Sequence, residues 1–155
     1  MMNSRSLKEL HPVVRMMAED FVVACHEAGI EVIITSTYRD HASQEALYAQ
    51  GRTKPGKIVT KAKGGDSFHN WRVAFDFLVL RNGKPVWGTS GNGIDNDPAD
   101  DEKDDLELWQ RAGAIAEKNG LEWGGRWRFR DLPHCQFTGG LTIADFKSGK
   151  QLRIA

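Results

Sequence analysis

Two histidines and two aspartates in short, unlike contexts could do chemistry together. Ser67-Phe68-His69-Asn70-Trp71-Arg72-Val73-Ala74-Phe75-Asp76 sets a histidine ahead of a carboxylate inside an apolar run. Asp131-Leu132-Pro133-His134 sets a second histidine shortly after another carboxylate. Two imidazoles and one carboxylate, from His69, Asp76 and His134, make a three-ligand zinc site with a fourth position open for water. The spare carboxylate, Asp131, is the kind of base such a water needs. Convergence of these residues would make the chain a metal-dependent hydrolase.

The elements around them must allow that convergence. His69 and Asp76 are separated by an odd number of residues, so a single regular strand would point them to opposite faces. Both can reach one ion only if Asn70 and Trp71 turn and leave His69 in a loop before the strand. In the strand itself Val73, Phe75 and Phe77 share one face, and Ala74, Asp76 and Leu78 share the other. A buried lone carboxylate is costly unless paired or metal-bound, and Arg72 offers Asp76 an alternative, purely structural partner. Pro133 argues against helix around His134. There, an extended backbone lets His134 face a metal while Asp131 reaches from the preceding turn; an exposed Asp131 and a half-buried His134 is the plainer alternative.

Arg39 follows the β-branched run Glu31 to Thr37, which reads as a buried strand. An arginine beyond a strand end can overhang a cleft, and its planar fork suits a carboxylate or oxyanion. A surface ion pair with Asp40 or Glu45 is the competing reading. Trp71, Trp123 and Trp127 could wall a groove or fill the core. His11, His26 and His41 lack partners in sequence and read as non-ligands, with His41 near enough to Arg39 to line the cleft.

The remaining elements follow from periodicity. Leu7, Leu10, Val14, Met17, Phe21 and Cys25 recur at helical spacing, capped by Asn3 or Ser6 and interrupted awkwardly by Pro12. Ser43 can cap a short helix that Gly51 ends. Residues 52–66 are rich in Lys and Gly and read as a loop. Val73 to Leu80 is a strand, Asn82-Gly83 a type I′ hairpin turn, and Lys84 to Trp87 the returning strand. Leu106 to Lys118 is a helix started by Asp104 or Asp105. A last strand runs from Pro133 to Phe137, and the tail is weakly patterned. The fold class is α+β, a small and mainly antiparallel sheet with flanking helices, in one domain spanning 1–155.

Composition narrows the classes. Apolar and charged fractions of 40% and 27% are those of an ordinary globular protein. Zero formal net charge argues against a general nucleic-acid binder. No apolar run is long enough to span a membrane, and no signal peptide is visible. Cys25 and Cys135 form no CxxC pair and read as reduced, buried thiols. Cys135 would point to the sheet face opposite His134. The acidic stretch Asp95 to Asp105 invites a calcium reading, but its frame lacks the EF-hand glycine. HExxH, GxSxG and a phosphate-binding loop are all absent from the sequence.

Taken together, Ser67-x-His69-x6-Asp76 and Asp131-x-x-His134 resemble the two metal motifs of the zinc D-alanyl-D-alanine peptidase superfamily, which shares its fold with the Hedgehog signalling domain. Thr37-Tyr38-Arg39, with Gln44 and Leu47-Tyr48, resembles its substrate-binding segment. Leu121-Glu122-Trp123-Gly124-Gly125-x-Trp127, running on to Pro133-His134, resembles the L-alanyl-D-glutamate endopeptidase branch found in phage endolysins and related bacterial enzymes. The resemblance implies one zinc ion held by His69, Asp76 and His134, Asp131 as general base, and Arg39 as the stabiliser of substrate or transition-state charge. It implies substrate contacts from Arg39, Ser67, Gln44 and Trp123, with a peptidoglycan stem peptide as substrate. Where the family usually has Gly between the first ligands, this chain has Arg72 or Val73. The expected protein is a monomeric cell-wall lytic hydrolase without a separate wall-binding domain, made in a host cytoplasm and released through a membrane pore. A D,D-carboxypeptidase or dipeptidase, and a non-catalytic zinc-containing wall-binding module, are the alternatives.

Overall fold

The chain begins with a short 3₁₀ turn, Leu7–Glu9, capped by Ser6, and helix α1 over Pro12–Glu27. Pro12 explains the break between them. It occupies the first helical turn, where its missing N–H costs nothing, and His11 caps the helix through Nδ1. Strand β1 (Glu31–Ser36) leads to helix α2 (His41–Ala49), which is capped by Asp40 rather than by Ser43, whose N–H donates to it. Strand β2 covers Ala74–Arg81 and β3 Lys84–Pro85. Asn82 and Gly83 between them both have positive φ, as a type I′ turn requires. Helix α3 spans Glu102–Lys118, β4 Glu122–Trp123, β5 His134–Gln136 and a short α4 Ile143–Lys147. This is a computed structural model that describes residues 1–86 and 102–154. Trp87, the expected end of the hairpin, and the calcium question at Asp95 to Asp101 lie outside them.

The five strands form one antiparallel sheet in the order β1-β2-β5-β4, with β3 also on β2. Its two faces are read directly from the register. Phe75 pairs with Cys135, which pairs with Trp123, and all three are fully or almost fully buried. Phe75 and Phe77 pack on Phe21 of α1, and Phe77 also on Trp109 of α3. This is the core, with Val14, Ala18, Cys25, Val79, Ala112 and Ala116 around it. Both cysteines are free and buried, and burial pushes the Cys25 thiol up to about 11. On the other face Asp76 pairs with His134, while Gln136 lies between Ala74 and Glu122.

Helix α3 starts earlier than the sequence suggests. Asp105 is therefore inside its first turns, fully buried and paired with Arg81 from the end of β2.

Candidate metal centre

His69 reaches Asp76 by the turn that their spacing demands. Residues Phe68–Trp71 form a 3₁₀ turn with a capping box between Ser67 and Asn70, and Arg72 closes it in the left-handed conformation at φ 64°. This is a costly backbone state for a residue with a Cβ. Its side chain holds it: Arg72 donates to both the carbonyl and the carboxylate of Glu9 at 2.8 Å, and its guanidinium stacks over Tyr38 at 3.7 Å. Arg72 is thus committed to Glu9, which leaves Asp76 to the histidines.

The three ligand atoms, His69 Nε2, Asp76 Oδ1 and His134 Nδ1, cluster tightly. Asp76 Oδ1 is 3.3 Å from His69 and 3.4 Å from His134, and the cluster's candidate donor atoms all lie within 4.8 Å of one another. Those two separations are long for N–H···O hydrogen bonds. They match the edge of a tetrahedron whose metal–ligand bonds are about 2.0–2.1 Å. Both imidazoles are buried, at 4% and 8% exposure, and Asp76 is half-buried.

Each ring has its outer nitrogen engaged. His69 Nδ1 is 2.8 Å from the Thr37 carbonyl, an acceptor only, so Nδ1 carries the proton and Nε2 keeps its lone pair for the cluster. His134 Nε2 is 2.8 Å from Gln136 Oε1. Thr37 is itself pinned: its N–H and hydroxyl donate to the Ser4 carbonyl, and the hydroxyl also reaches the Ser6 carbonyl. Such outer partners orient ligand rings. Sequence reading gives Thr37, Glu122 and Gln136 no role at the ligands, although the first two stand inside the motifs that carry the resemblance. Strand alternation from His134 was the available signal for Gln136.

The charges fit the same picture. Burial works to raise the Asp76 pKa, but His134 and His69 outweigh it and hold the carboxyl well below the usual range. Burial opposes protonation of His134, yet Asp76, with Gln136 and Asp131, leaves its pKa above an ordinary histidine's. Asp131 presents much of its surface to solvent. Partial burial of the carboxyl nonetheless raises its pKa, with His134 and His69 acting against that and Asp76 adding to it. Burial lowers the Arg39 pKa and the Asp76 charge acts against it. Asp131 and Arg39 therefore both feel the cluster. Arg39 donates to Gln44 Oε1 at 2.9 Å and Ser36 Oγ at 3.3 Å, and its buried Nε–H has no partner among the described residues.

The other expected contacts are placed differently. Gln44 is fully buried; it orients Arg39 with its oxygen and donates 2.8 Å to the Ala62 carbonyl, so it faces protein, not a substrate. Trp123 is 1% exposed and belongs to the core, its indole N–H donating to the Leu132 carbonyl at 2.7 Å. A Cβ on Gly113 or Gly125 would strike its ring at 2.2 Å, and one on Gly124 would come within 2.5 Å of the Asp131 carbonyl. The Trp-Gly-Gly sequence is thus the clamp that seats the loop carrying Asp131. Trp127, whose ring centre lies 5.1 Å from that of His134, is the tryptophan beside the ligands. Ser67 caps the 3₁₀ turn by accepting from the His69 N–H. His41 packs edge-on against Trp71 and lines a cavity of about 480 Å³ with Tyr38, Arg72, Phe146 and Lys150. None of the clustered ligands borders that cavity.

A family model described as D-alanyl-D-alanine carboxypeptidase matches residues 60–137, the stretch that holds His69, Asp76, Asp131 and His134. The chain belongs to this peptidase family. Peptidases of the family are metal-dependent, in keeping with the cluster. The chain is 41% identical over 130 residues to the peptidoglycan L-alanyl-D-glutamate endopeptidase CwlK of Bacillus subtilis, covering 83% of this chain and 73% of CwlK. Its fold is similar to that of the Serratia marcescens L-Ala D-Glu endopeptidase ChiX, with TM-score 0.58 at 17% identity over 94% of this chain and 92% of the other. It is also similar to the LD-carboxypeptidase LdcB, with TM-score 0.55 at 17% identity over 92% and 77% of the two chains. The expected α+β class and antiparallel sheet hold.

Proposed function

We propose that this family member is a zinc endopeptidase that cuts the L-alanyl-D-glutamate bond of peptidoglycan stem peptides. The observation that carries the reading is the ligand triad: two His–Asp separations at tetrahedral edge length, and one imidazole already fixed in the tautomer that faces its lone pair inward. The 41% identity to an L-alanyl-D-glutamate endopeptidase supports the substrate class. His69, Asp76 and His134 would hold the ion. Bound there, zinc supplies Lewis acidity and makes a neighbouring water easier to deprotonate.

Asp131 takes the proton from the attacking water and returns it to the leaving amine. Arg39, whose charge is already felt by Asp76, brings its guanidinium toward the carbonyl oxygen as negative charge develops, or toward a substrate carboxylate. Gln44 and Ser36 hold the guanidinium in place for this. In this reading the chain acts as a monomeric cell-wall lytic enzyme of endolysin type, made in the cytoplasm and reaching the wall through a membrane pore. Among the described residues no helix is long and apolar enough to cross a membrane.

Purified protein supplied with zinc and defined muropeptides should release a new amino terminus at D-glutamate, seen by mass spectrometry. Release of terminal D-alanine alone would instead assign a carboxypeptidase. Binding to wall without any product would assign a non-catalytic module.

A further inference from the structure

The second ligand ring needs its tautomer fixed as firmly as the first, and no backbone carbonyl does this for His134. The acceptor on its outer nitrogen is the side-chain amide of Gln136. An amide can present either oxygen or NH₂, so the amide alone leaves the tautomer undecided. The next contact decides it. Gln136 Nε2 lies 2.9 Å from Glu122 Oε2, and an ionised carboxylate only accepts. The amide nitrogen must therefore face Glu122, and its oxygen must face His134. His134 Nε2 then carries a proton, and in the neutral ring this leaves Nδ1, on the Asp76 side, as the nitrogen that can take a cation.

From this we infer that Gln136 and Glu122 are positioning residues for the metal centre, an amide–carboxylate relay that sets the His134 tautomer from outside the cluster. The inference rests on the reading of His134 as a ligand. The sheet builds the relay by register. His134 and Gln136 alternate onto one face of β5, and Glu122 of β4 is the direct cross-strand partner of Gln136. Ala74, its partner on β2, is small enough to leave the amide room. Gln136 is 6% exposed, whereas Glu122 is exposed. Without the carboxylate the amide is free to reverse. Its NH₂ then demands a lone pair on Nε2, and the proton moves to Nδ1, where an incoming cation must displace it.

The test uses the whole protein with zinc as the probe, titrated against a competing chelator, together with long-range ¹H–¹⁵N spectra of the imidazoles in metal-free protein, taken at a pH where the His134 ring has lost its second proton. The wild type should show His134 protonated at Nε2. Gln136→Met, of similar volume without the amide, should weaken zinc binding by roughly 10- to 100-fold. Glu122→Ala should weaken it by roughly 2- to 10-fold, the worth of one net hydrogen bond, and mix the His134 tautomers. In the Gln136→Met background Glu122→Ala should add nothing. Exchanging the two, Glu122→Gln with Gln136→Glu, keeps an acceptor on His134 and should restore the wild-type tautomer and affinity. Because Glu122 is exposed, its variant keeps the test open should Gln136→Met misfold. An unchanged tautomer and zinc affinity in Glu122→Ala overturns the relay, as does an equal effect of Glu122→Ala in both backgrounds. Should the wild type take up no cation, the ligand reading fails, while the metal-free spectra still decide the relay.

Discussion

The two faces of the central sheet are built from neighbouring residues and obey opposite rules. Phe75, Cys135 and Trp123 point one way into a dry core. Asp76 and His134, each one position along the chain, point the other way and meet each other. On the first face the requirement is volume and shape, and any apolar group of the right size serves. On the second it is the identity of single atoms: which nitrogen holds a proton, which oxygen has a lone pair. One strand register supplies both, so a slip by one residue would exchange them.

This separation predicts that damage to the two faces is read by different instruments. The largest effect belongs to His134→Ala or Asp76→Ala. Either should abolish stoichiometric zinc uptake by metal analysis and reduce muropeptide cleavage to background, and chelation of the wild type should do the same. Asp131→Asn comes next, lowering turnover by about 10²–10⁴-fold while zinc content stays at the wild-type level. Loss of zinc in that variant would break the assignment of Asp131 as a base rather than a ligand. On the core face Phe75→Ala should cost about 3–5 kcal/mol of stability, measured by denaturant midpoint, yet keep one zinc per chain at temperatures where it remains folded. If it loses zinc there, the faces are not separable. The smallest of these effects is Arg39→Lys. The charge survives but the fork that engages Gln44 and Ser36 does not. Cleavage should fall by about 10- to 100-fold, the worth of a charge-assisted hydrogen bond, with zinc content unchanged and a lower melting temperature from the unsatisfied Gln44 oxygen.

What could be read in the sequence follows the same division. The β-branched run of β1, the alternation of β2 and the Asn82-Gly83 turn carry local signals, and each forms the expected element. The expected burial of β1 does not hold: it lies at the end of the strand order, with Ile33 exposed and only Ser36 of the strand buried. The ligand spacing predicted a turn after His69, and the 3₁₀ segment supplies it. The family resemblance implies Gln44 and Trp123 as substrate contacts, but a motif match does not say which way a side chain points. Gln44 turns inward to orient Arg39, and Trp123 is drawn into the core through gaps left by glycines at 113 and 125. Thr37 and Glu122 join the site through strand pairing and a folded-back N-terminal segment, relations that no window along the chain contains. Helix α4 is weakly signalled in the sequence although Thr142 and Asp145 form a capping box, because a five-residue helix carries too little periodicity.

That folded-back segment has a practical meaning. Ser4 exchanges backbone hydrogen bonds with Thr37 and Tyr38, and the Asp40 N–H donates to the Met2 carbonyl. The carbonyl that steers His69 is thereby moored to the opening residues. Clipping those residues by a protease, or crowding them with a purification handle, should loosen cation retention before any helix melts. Comparing zinc occupancy between tagged, trimmed and intact protein reads this out, and equal occupancy in all three would show that the mooring is dispensable.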